Sequence, residues 1–410
     1  MDSVTAKAIV ESLRRGIADQ DHIRQYTADS RLERSPLREM RDHLKDVGQG
    51  ISMIRFINGA YGEGKSHTLA LLRQIALDKD FVVSEFPLET QGVRFDMFDR
   101  VLRKMIEVLA TPDFRAPKDN KTVLELVIQK WAKQAEDIDD ALDGMGLHPS
   151  MIDLRSAISL YGKILVGKEV RHTGGKDRLI LLRHWFAPEP TKMRTADRRM
   201  IGVLNNVTPQ NAGAVIEGLA VFFRGIGYRG WLVLIDEQEI VPTLMTPLQR
   251  KKCNENLRIL VDTLNIQEPR RGFYYVFASA PEFFTDQERG VNAYPALKDR
   301  ITNAVLPLTG MDADEMFEVA QRIQEIYRDT GEYPDRKQIV SDEDIRSFVE
   351  EIESRFGSVR YKARGFVQSF VSFIEERLGR PDALLTDLID EVLGRTFGNI
   401  GAALSAAHKK

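Results

Sequence analysis

The sequence predicts an α/β fold built on a parallel sheet, with a helical insertion and a C-terminal helical lid. A glycine-rich turn joins the apolar run "SMIRFI" (52–57) to the helix-periodic segment "SHTLALLRQIAL" (66–77). A continuous apolar run at 231–235 is typical of a strand covered on both faces. After residue 310 the apolar pattern is entirely helical. Other apolar runs predict core strands at 81–88, 273–278 and 301–308.

Composition and length indicate a soluble globular chain of two or three domains or of one large elaborated domain. It has 410 residues, of which 43% are hydrophobic and 29% charged, and its net charge is −3. No overall basic field would attract nucleic acid. The arginine-rich stretch 24–45 also carries acids, so a solvated helical face is expected there rather than a DNA contact.

The sequence predicts that the protein is located in the cytoplasm. Cys253 is the single cysteine, which excludes a disulfide within the chain and a cysteine-rich metal site. It is expected to be an ordinary helix residue. The first residues lack the apolar core of a signal peptide. No run approaches the roughly 18 apolar residues of a membrane span.

The glycine-rich turn has the pattern Gly-x4-Gly-Lys-Ser of a phosphate-binding loop, or P-loop. Glycines let successive N–H groups face phosphate oxygens, Lys65 can reach the outer phosphates, and the Ser66 hydroxyl can ligate Mg²⁺. The motif therefore predicts a P-loop NTPase core that binds ATP and Mg²⁺, the alternative being a glycine-rich turn without a ligand. The candidate ATP-binding residues of the loop are Gly59, Tyr61, Gly62, Glu63, Gly64, Lys65, Ser66 and His67. His67 is expected to pack or cap at the first helical turn rather than to catalyse.

Two acids follow the apolar run "WLVLI" directly. Carboxyl ends of parallel strands carry the ligand sites of open α/β sheets. We expect Asp236 to hold Mg²⁺ through water and Glu237 to polarise the attacking water as general base. The alternative is a strand that ends in a solvated acidic turn. Ser279, at the end of the run "GFYYVFAS", could lie between these acids and the γ-phosphate.

Domain organisation follows from these positions. The long separation of Lys65 and Asp236 predicts a mainly helical insertion. A later helix is expected to return to the core, with Thr208 as its N-cap and Pro209 as its first residue. The predicted divisions are an N-terminal helical segment (1–48), the first part of the core (49–107), the insertion (108–207), the second part of the core (208–310) and the lid (311–410).

The loop, "LIDE" and "FASA" occur in this order and resemble AAA+-type ATPases that carry a catalytic glutamate. The resemblance implies that Ser279 senses the γ-phosphate. It implies that Arg300, beside the next predicted strand, acts on the ATP of a neighbouring subunit. It also implies that Arg364, in "SVRYKARGFVQSF", senses nucleotide from the lid. For both arginines a surface or structural role is the alternative.

A closer resemblance covers residues 5 to 380, to the ATP-binding proteins of bacterial BREX-type phage-defence loci, a P-loop family related to AAA+ and STAND ATPases. Stretches that carry it include "GAYGEGKSHTLALLRQIALDKDFVVSEFPLE", "LLRHWFAPEP", "NAGAVIEGLAVFFRGIGYRGWLVLIDEQE" and "FASAPEFF". In such loci the ATPase is often encoded beside a helicase-like partner. The resemblance thus implies a DNA-linked role.

Three functions remain open at this stage. The first is an ATPase acting as a homo-oligomer on or near DNA, whose turnover remodels or loads a helicase-like partner. The second is a slow STAND-like switch in which the nucleotide-bound state is the signal. The third is a small-molecule kinase, although no acceptor motif is evident. None of them requires a membrane.

Overall fold

The chain folds into a six-stranded sheet, a small two-stranded sheet and many helices. The structure is a computed structural model that describes residues 1–89, 92–188, 192–265, 271–332, 338–356 and 362–407. The strands are β1 (Met53–Asn58), β2 (Val82–Pro87), β3 (Leu109–Ala110), β4 (His172–Thr173), β5 (Lys176–Asp177), β6 (Trp231–Asp236), β7 (Phe273–Ser279) and β8 (Val305–Pro307).

The helices precede, separate and follow these strands. Up to β6 they are α1 (Ser3–Arg14), α2 (Asp29–Leu32), α3 (Leu37–Gly48), α4 (Lys65–Leu77), α5 (Phe98–Glu107), α6 (Val123–Gln134), α7 (Ile138–Asp143), α8 (Ile152–Leu165), α9 (Arg178–Phe186), α10 (Thr195–Met200) and α11 (Ala212–Gly225). After β6 they are α12 (Ile240–Leu244), α13 (Pro247–Asn265), α14 (Pro281–Thr285), α15 (Pro295–Ile301), α16 (Ala313–Asp329), α17 (Asp342–Phe356), α18 (Lys362–Gly379) and α19 (Leu385–Ala407). In these described ranges, none of the helices is both long and apolar enough to cross a bilayer.

The sheet is mostly parallel, with strand order β3-β2-β6-β7-β1-β8. β6 pairs in parallel with β2 on one side and with β7 on the other. At the amino-terminal end of β7, the Gly272 N–H donates to the Gly50 carbonyl (3.1 Å), so β1 and β7 also start at the same edge. The short β3 is antiparallel to its neighbour β2. Continuous burial of Trp231 to Ile235 explains the unbroken apolar run in the sequence.

The chain divides into two compact units. The first unit comprises Met1–Glu39, Asn58–Leu72 and Pro307–Lys410, and the second comprises Met40–Ile57 and Arg73–Leu306. In the first unit, α1 packs against α16 and α18, and the Arg14 guanidinium lies 2.5 Å from the Glu375 carboxylate. A cluster of aromatic side chains forms the core between α17 and α18: Phe348, Phe366, Phe370 and Phe373.

The second unit holds nearly all of the sheet and the helices between β3 and β6. The helices α6 and α8 pack together, and the Trp131 ring meets Phe222 of α11 edge-on at 5.2 Å. The fully buried Glu125 carboxylate is paired with Arg183 of α9 at 2.9 Å. The described residues of 108–207 are thus mainly helical, and they also contain β3 and the short hairpin formed by β4 and β5.

Four of the five predicted strands are confirmed to within one or two residues, and the fifth is wrong over most of its length. Only Val305–Pro307 of the predicted strand 301–308 is extended. Ile301 instead ends α15, and Thr302–Ala304 continue as a 3-10 turn, so the helical backbone extends four residues into the predicted strand.

Local details of the helices also differ from the predictions. Thr208 does not cap α11, which starts at Ala212 with Asn211 as N-cap. The Thr208 N–H instead donates to Asn211 Oδ1 (2.7 Å) in the turn that precedes α11. In the N-terminal helical segment, Ile17 lies beyond the end of α1 and is 55% exposed, so the buried face of this helix ends at Leu13. Cys253 is a buried residue of α13, as expected.

Candidate nucleotide site

The glycine-rich turn of the first unit has the backbone of a phosphate-binding loop. Gly62 and Gly64 have φ of 81° and 96°, values that glycine adopts without steric cost. α4 begins directly after the loop at Lys65, so its positive dipole end faces the turn. The buried Lys65 ammonium folds back over the loop and donates to the carbonyls of Gly59 (2.9 Å) and Ala60 (3.3 Å). Ser66 follows it as an exposed residue of the first helical turn.

A carboxylate stabilises the start of the loop. Glu63 is buried, and its Oε2 accepts a hydrogen bond from the Ala60 N–H at 2.6 Å. A Cβ at Gly59 would lie 3.0 Å from the Leu308 Cβ and 3.2 Å from Glu63 Oε2. Gly59 is therefore required by close packing as well as by the motif.

Arg31 lies in the same unit and corrects one expectation for the stretch 24–45. Its side chain is buried rather than solvated, and it donates to the Thr309 carbonyl at 2.9 Å. Its guanidinium is also 3.9 Å from the carboxylate of Glu315. Glu315 and Asp312 form the capping box of α16.

His67 packs inside the first unit, as expected. Its Nε2 is 2.9 Å from the Thr27 hydroxyl, which itself donates to the Ile23 carbonyl (2.7 Å), so Nε2 carries the hydrogen. The Tyr26 ring lies 5.7 Å from the imidazole. Burial, reinforced by the Arg31 charge, lowers the pKa of His67 to about 3. The imidazole is therefore neutral and structural at physiological pH.

The predicted lid arginine meets the loop. Arg364 Nη1 donates to the Tyr61 hydroxyl at 2.6 Å, and the Arg364 main-chain N–H donates to the Gly62 carbonyl at 3.2 Å. The guanidinium carbon is 5.5 Å from the centroid of the Tyr61 ring, whose side chain is 65% exposed. Residues 358–361 of the sequence stretch that contains Arg364 lie outside the described residues. The structure thus brings together the predicted residues Tyr61, Gly62 and Arg364.

The two acids lie at the carboxyl edge of the sheet in the second unit. Asp236 ends β6, and its Oδ1 accepts a hydrogen bond from the Glu237 N–H at 2.9 Å. Glu237 has a φ of 61°, which is unusual for a residue with a side chain. Strain of this kind costs about 1–3 kcal/mol and clusters at functional sites. The turn after β6 therefore holds Glu237 in a conformation that the chain would not adopt by itself.

Ser279 ends the neighbouring strand β7 at the same edge. It is fully buried, and its hydroxyl is 3.4 Å from the Ala280 carbonyl. Two further hydrogen bonds tie the ends of β6 and β7: Gln238 N–H to the Ala278 carbonyl (3.2 Å) and Ala280 N–H to Glu239 Oε2 (3.2 Å). The structure thus places Asp236, Glu237 and Ser279 on adjacent strand ends.

Glu85 is a member of this edge that sequence reasoning missed. It lies in β2, opposite Leu234 and two residues before the Pro87–Asp236 pair. Burial, and to a smaller extent the Asp236 charge, raise the pKa of the Glu85 carboxyl to about 7, against the lowering effect of Arg73 at 3.6 Å. A charged residue inside the otherwise apolar run "FVVSEFPL" was the available signal.

Arg300 is placed differently from the other candidates. It is in the last turn of α15, where it pairs with the Asp262 carboxylate of α13 and donates to the Ala296 carbonyl (2.6 Å). Neither partner belongs to the predicted site. Asp262 also binds Arg258 at 2.7 Å.

A glycine-rich loop that runs from a strand into a helix, and acids that end a second strand of the same mostly parallel sheet, define an α/β protein with a phosphate-binding-loop motif. The chain belongs to the family of BREX system ATP-binding proteins BrxC/D, whose family model matches residues 2–392. None of the curated proteins is similar to it. Among solved structures, the Aeropyrum pernix ORC2 protein (ADPNP-ADP complexes) is 11% identical, with a TM-score of 0.42 over 88% of this chain and 68% of that one.

Proposed function

We propose that this chain binds ATP with Mg²⁺ and hydrolyses it as an AAA+-like member of a BREX phage-defence system. The observation that carries the proposal is the loop, where the motif coincides with a strand–turn–helix arrangement and with Gly62 and Gly64 at positive φ. Such a turn presents consecutive N–H groups to an anion. Membership of a family of ATP-binding proteins supports the same ligand.

The residues present fit a magnesium nucleotide. Mg²⁺ prefers hydroxyl, carboxylate and water oxygens, and we assign the exposed Ser66 hydroxyl and, through water, the Asp236 carboxylate to it. Bound with ATP, this ion supplies positive charge that offsets charge on the phosphates. Lys65 would leave the carbonyls of Gly59 and Ala60 and donate to the outer phosphates.

Glu237 is the proposed general base, and its strained backbone supports this role. The Glu237 main-chain N–H is held by Asp236, and in this role the Glu237 carboxylate would accept a proton from the attacking water. Ser279 would then sense the γ-phosphate from the end of β7. Arg364 would sense it from the lid, and Arg300 would act on the ATP of a neighbouring subunit in a homo-oligomer. In this proposal turnover remodels or loads a partner, such as a helicase-like protein, on DNA.

A specific observation also favours a nucleotide-operated switch. The Arg364 guanidinium binds Tyr61 of the loop, so nucleotide binding at the loop would change a contact of the lid helix α18. In a STAND-like protein that change is the signal and hydrolysis is slow. The two functions share the same residues and differ in turnover.

The test is phosphate release by the full chain with Mg²⁺ and with EDTA, with and without duplex DNA. The ATPase predicts Mg²⁺-dependent turnover that DNA stimulates. ATP binding without turnover would favour the switch. Lys65→Ala removes a charged hydrogen-bond donor and should weaken ATP binding about 10- to 100-fold. Lys7→Ala, at an exposed lysine of α1, is the matched control. Failure of the wild type to bind ATP would overturn both functions.

A further inference from the structure

A basic surface lies on the second unit, in residues 168–178 and 192–200. These two segments contain eight Lys or Arg residues and three Asp or Glu residues, a net charge of +5, whereas the whole chain has a net charge of −3. We call them the hairpin face. The stretch 24–45, the obvious basic segment of the sequence, carries less charge: it has six Lys or Arg and four Asp or Glu residues, a net charge of +2, and Arg31 is buried.

The centre of the hairpin face is the ribbon formed by β4 and β5. His172 pairs with Asp177 and Thr173 with Lys176. Gly174 and Gly175 form the tip with φ of 56° and 74°. All residues from 167 to 176 are exposed. The ribbon is therefore narrow, has no side chain at its tip, and projects into solvent.

The short helix α10 belongs to the same surface. Arg178 Nε donates to the Met200 carbonyl at 2.9 Å, and Lys176 pairs with Asp197 of α10. A Cβ at Gly174 would lie 3.2 Å from Met200 Cε. These contacts fix the ribbon against α10, so that the two segments present their charges together.

The three acids of the hairpin face are already neutralised. Asp177 pairs with Arg171 at 2.5 Å, Glu169 with Arg178 at 3.3 Å, and Asp197 with Lys176. Within the part of the chain that the structure describes, the remaining cations have no Asp or Glu within salt-bridge distance. They are Lys168, Lys192, Arg194, Arg198 and Arg199. Arg198 is held in place by the carbonyls of Met193 and Leu204, both at 2.9 Å.

We propose that the hairpin face binds duplex DNA, mainly through its phosphates. Exposed guanidinium and ammonium groups that lack acidic partners supply the electrostatic term that dominates such binding. A two-stranded ribbon fits the major groove of B-DNA. The surface is also poor in apolar side chains. Among the described residues of the hairpin face, Val170 is the one exposed large hydrophobic residue, and it is 60% exposed. A protein partner would need an apolar interface core, whereas DNA interfaces are polar and positively charged.

This inference deepens the DNA-linked part of the proposed function and rests on it. Its test does not involve ATP, so the two can fail separately. Binding of a fluorescent DNA duplex is measured by anisotropy over a range of salt concentrations. The variant is Lys192→Glu/Arg194→Glu/Arg199→Glu, which changes three exposed residues. Its control is Lys251→Glu/Lys252→Glu/Lys298→Glu, which makes the same change of charge at exposed residues of α13 and α15.

Wild type and control are expected to bind the duplex with similar affinity and to show no preference for base sequence. Each phosphate contact contributes about 0.9 to the slope of log K against log salt, so the hairpin variant should lose about 2–3 in slope and on the order of 10²-fold in affinity at about 0.1 M salt. Its thermal unfolding midpoint and its ATP turnover without DNA should match those of the wild type.

Three results would overturn the proposal. The first is an equal loss of affinity in the hairpin variant and in the control, which would show a general charge effect. The second is tighter binding of duplex RNA or of single strands than of duplex DNA. The third is a wild-type chain that hydrolyses ATP but binds no duplex, which would reject the hairpin face as a DNA site while leaving the ATPase intact.

Discussion

Arg364 of the lid donates a hydrogen bond to the hydroxyl of Tyr61 at 2.6 Å, although 303 positions separate them in the sequence. The Arg364 main-chain N–H also binds the Gly62 carbonyl. The first turn of α18 is therefore anchored on the phosphate-binding loop through both side chain and backbone. An anion at the loop would compete with Tyr61 for the guanidinium.

This competition predicts opposite effects of two variants. Tyr61→Phe removes the hydroxyl acceptor and should raise ATP affinity by about two- to fivefold, since an exposed charged hydrogen bond contributes about 0.5–1 kcal/mol. Arg364→Ala should lower ATP affinity by about tenfold. Titration with a fluorescent ATP analogue measures both. If the two variants shift the affinity in the same direction, the contact does not compete with ATP.

His67 predicts a pH dependence of stability. Its pKa is lowered from 6.5 in the unfolded chain to about 3 in the fold, so the unfolded chain binds one more proton between these values. Above the unfolded pKa, His67 does not lower the free energy of unfolding. As the pH falls below that pKa, the free energy of unfolding decreases by about 1.4 kcal/mol per pH unit. From about pH 7 to about pH 5 the wild type should lose about 2 kcal/mol more than His67→Gln, which keeps a hydrogen-bonding group toward Thr27.

Urea denaturation of both proteins at each pH measures this difference. Thr27→Val provides a second comparison, because it removes the hydrogen bond but leaves the burial that lowers the pKa. It should be less stable at every pH and should keep the slope. If the free energy of unfolding changes with pH in the same way for the wild type and for His67→Gln, then His67 takes up its proton in the folded chain and its pKa is not lowered by folding.

Local features of the site could be predicted from the sequence because they depend on neighbouring residues. The loop needs glycines at fixed spacings, and Asp236 and Glu237 follow a strand whose apolar run is unbroken. Tertiary relationships could not be predicted in this way. The burial of Arg31 depends on Thr309 and Glu315, which are remote in the chain. The strand expected at 301–308 was wrong over most of its length because α15 ends only at Ile301 and a 3-10 turn follows it to Ala304.

Replacing Glu237 with glycine is predicted to increase stability and to abolish activity. With a φ of 61°, Glu237→Gly relieves backbone strain and should raise the free energy of unfolding by about 0.5–1 kcal/mol. The same substitution removes the general base and should abolish hydrolysis. Asp119→Gly is the matched control, since Asp119 is exposed and has a φ of 52°. It should stabilise similarly and keep full activity. Loss of stability in Glu237→Gly alone would refute the strain argument.

Arg300 and Arg258 form a second matched pair, because both bind Asp262. If Arg300 completes the site of a neighbouring subunit, Arg300→Ala should reduce kcat by about 10²-fold or more with little change in ATP affinity. Arg258→Ala should leave kcat unchanged. Steady-state hydrolysis at several protein concentrations measures both. Equal and small effects of the two variants would show that Arg300 is a structural partner of Asp262.

In the proposed function the chain hydrolyses ATP with Glu237 as general base. The most direct measurement is the ATP hydrolysis rate of Glu237→Gln, together with its ATP affinity, beside Glu282→Gln as an exposed control on α14. We predict that Glu237→Gln loses about 10²- to 10⁴-fold in rate and retains wild-type affinity, whereas the control changes neither. Hydrolysis at the wild-type rate by Glu237→Gln would show that Glu237 is not the general base.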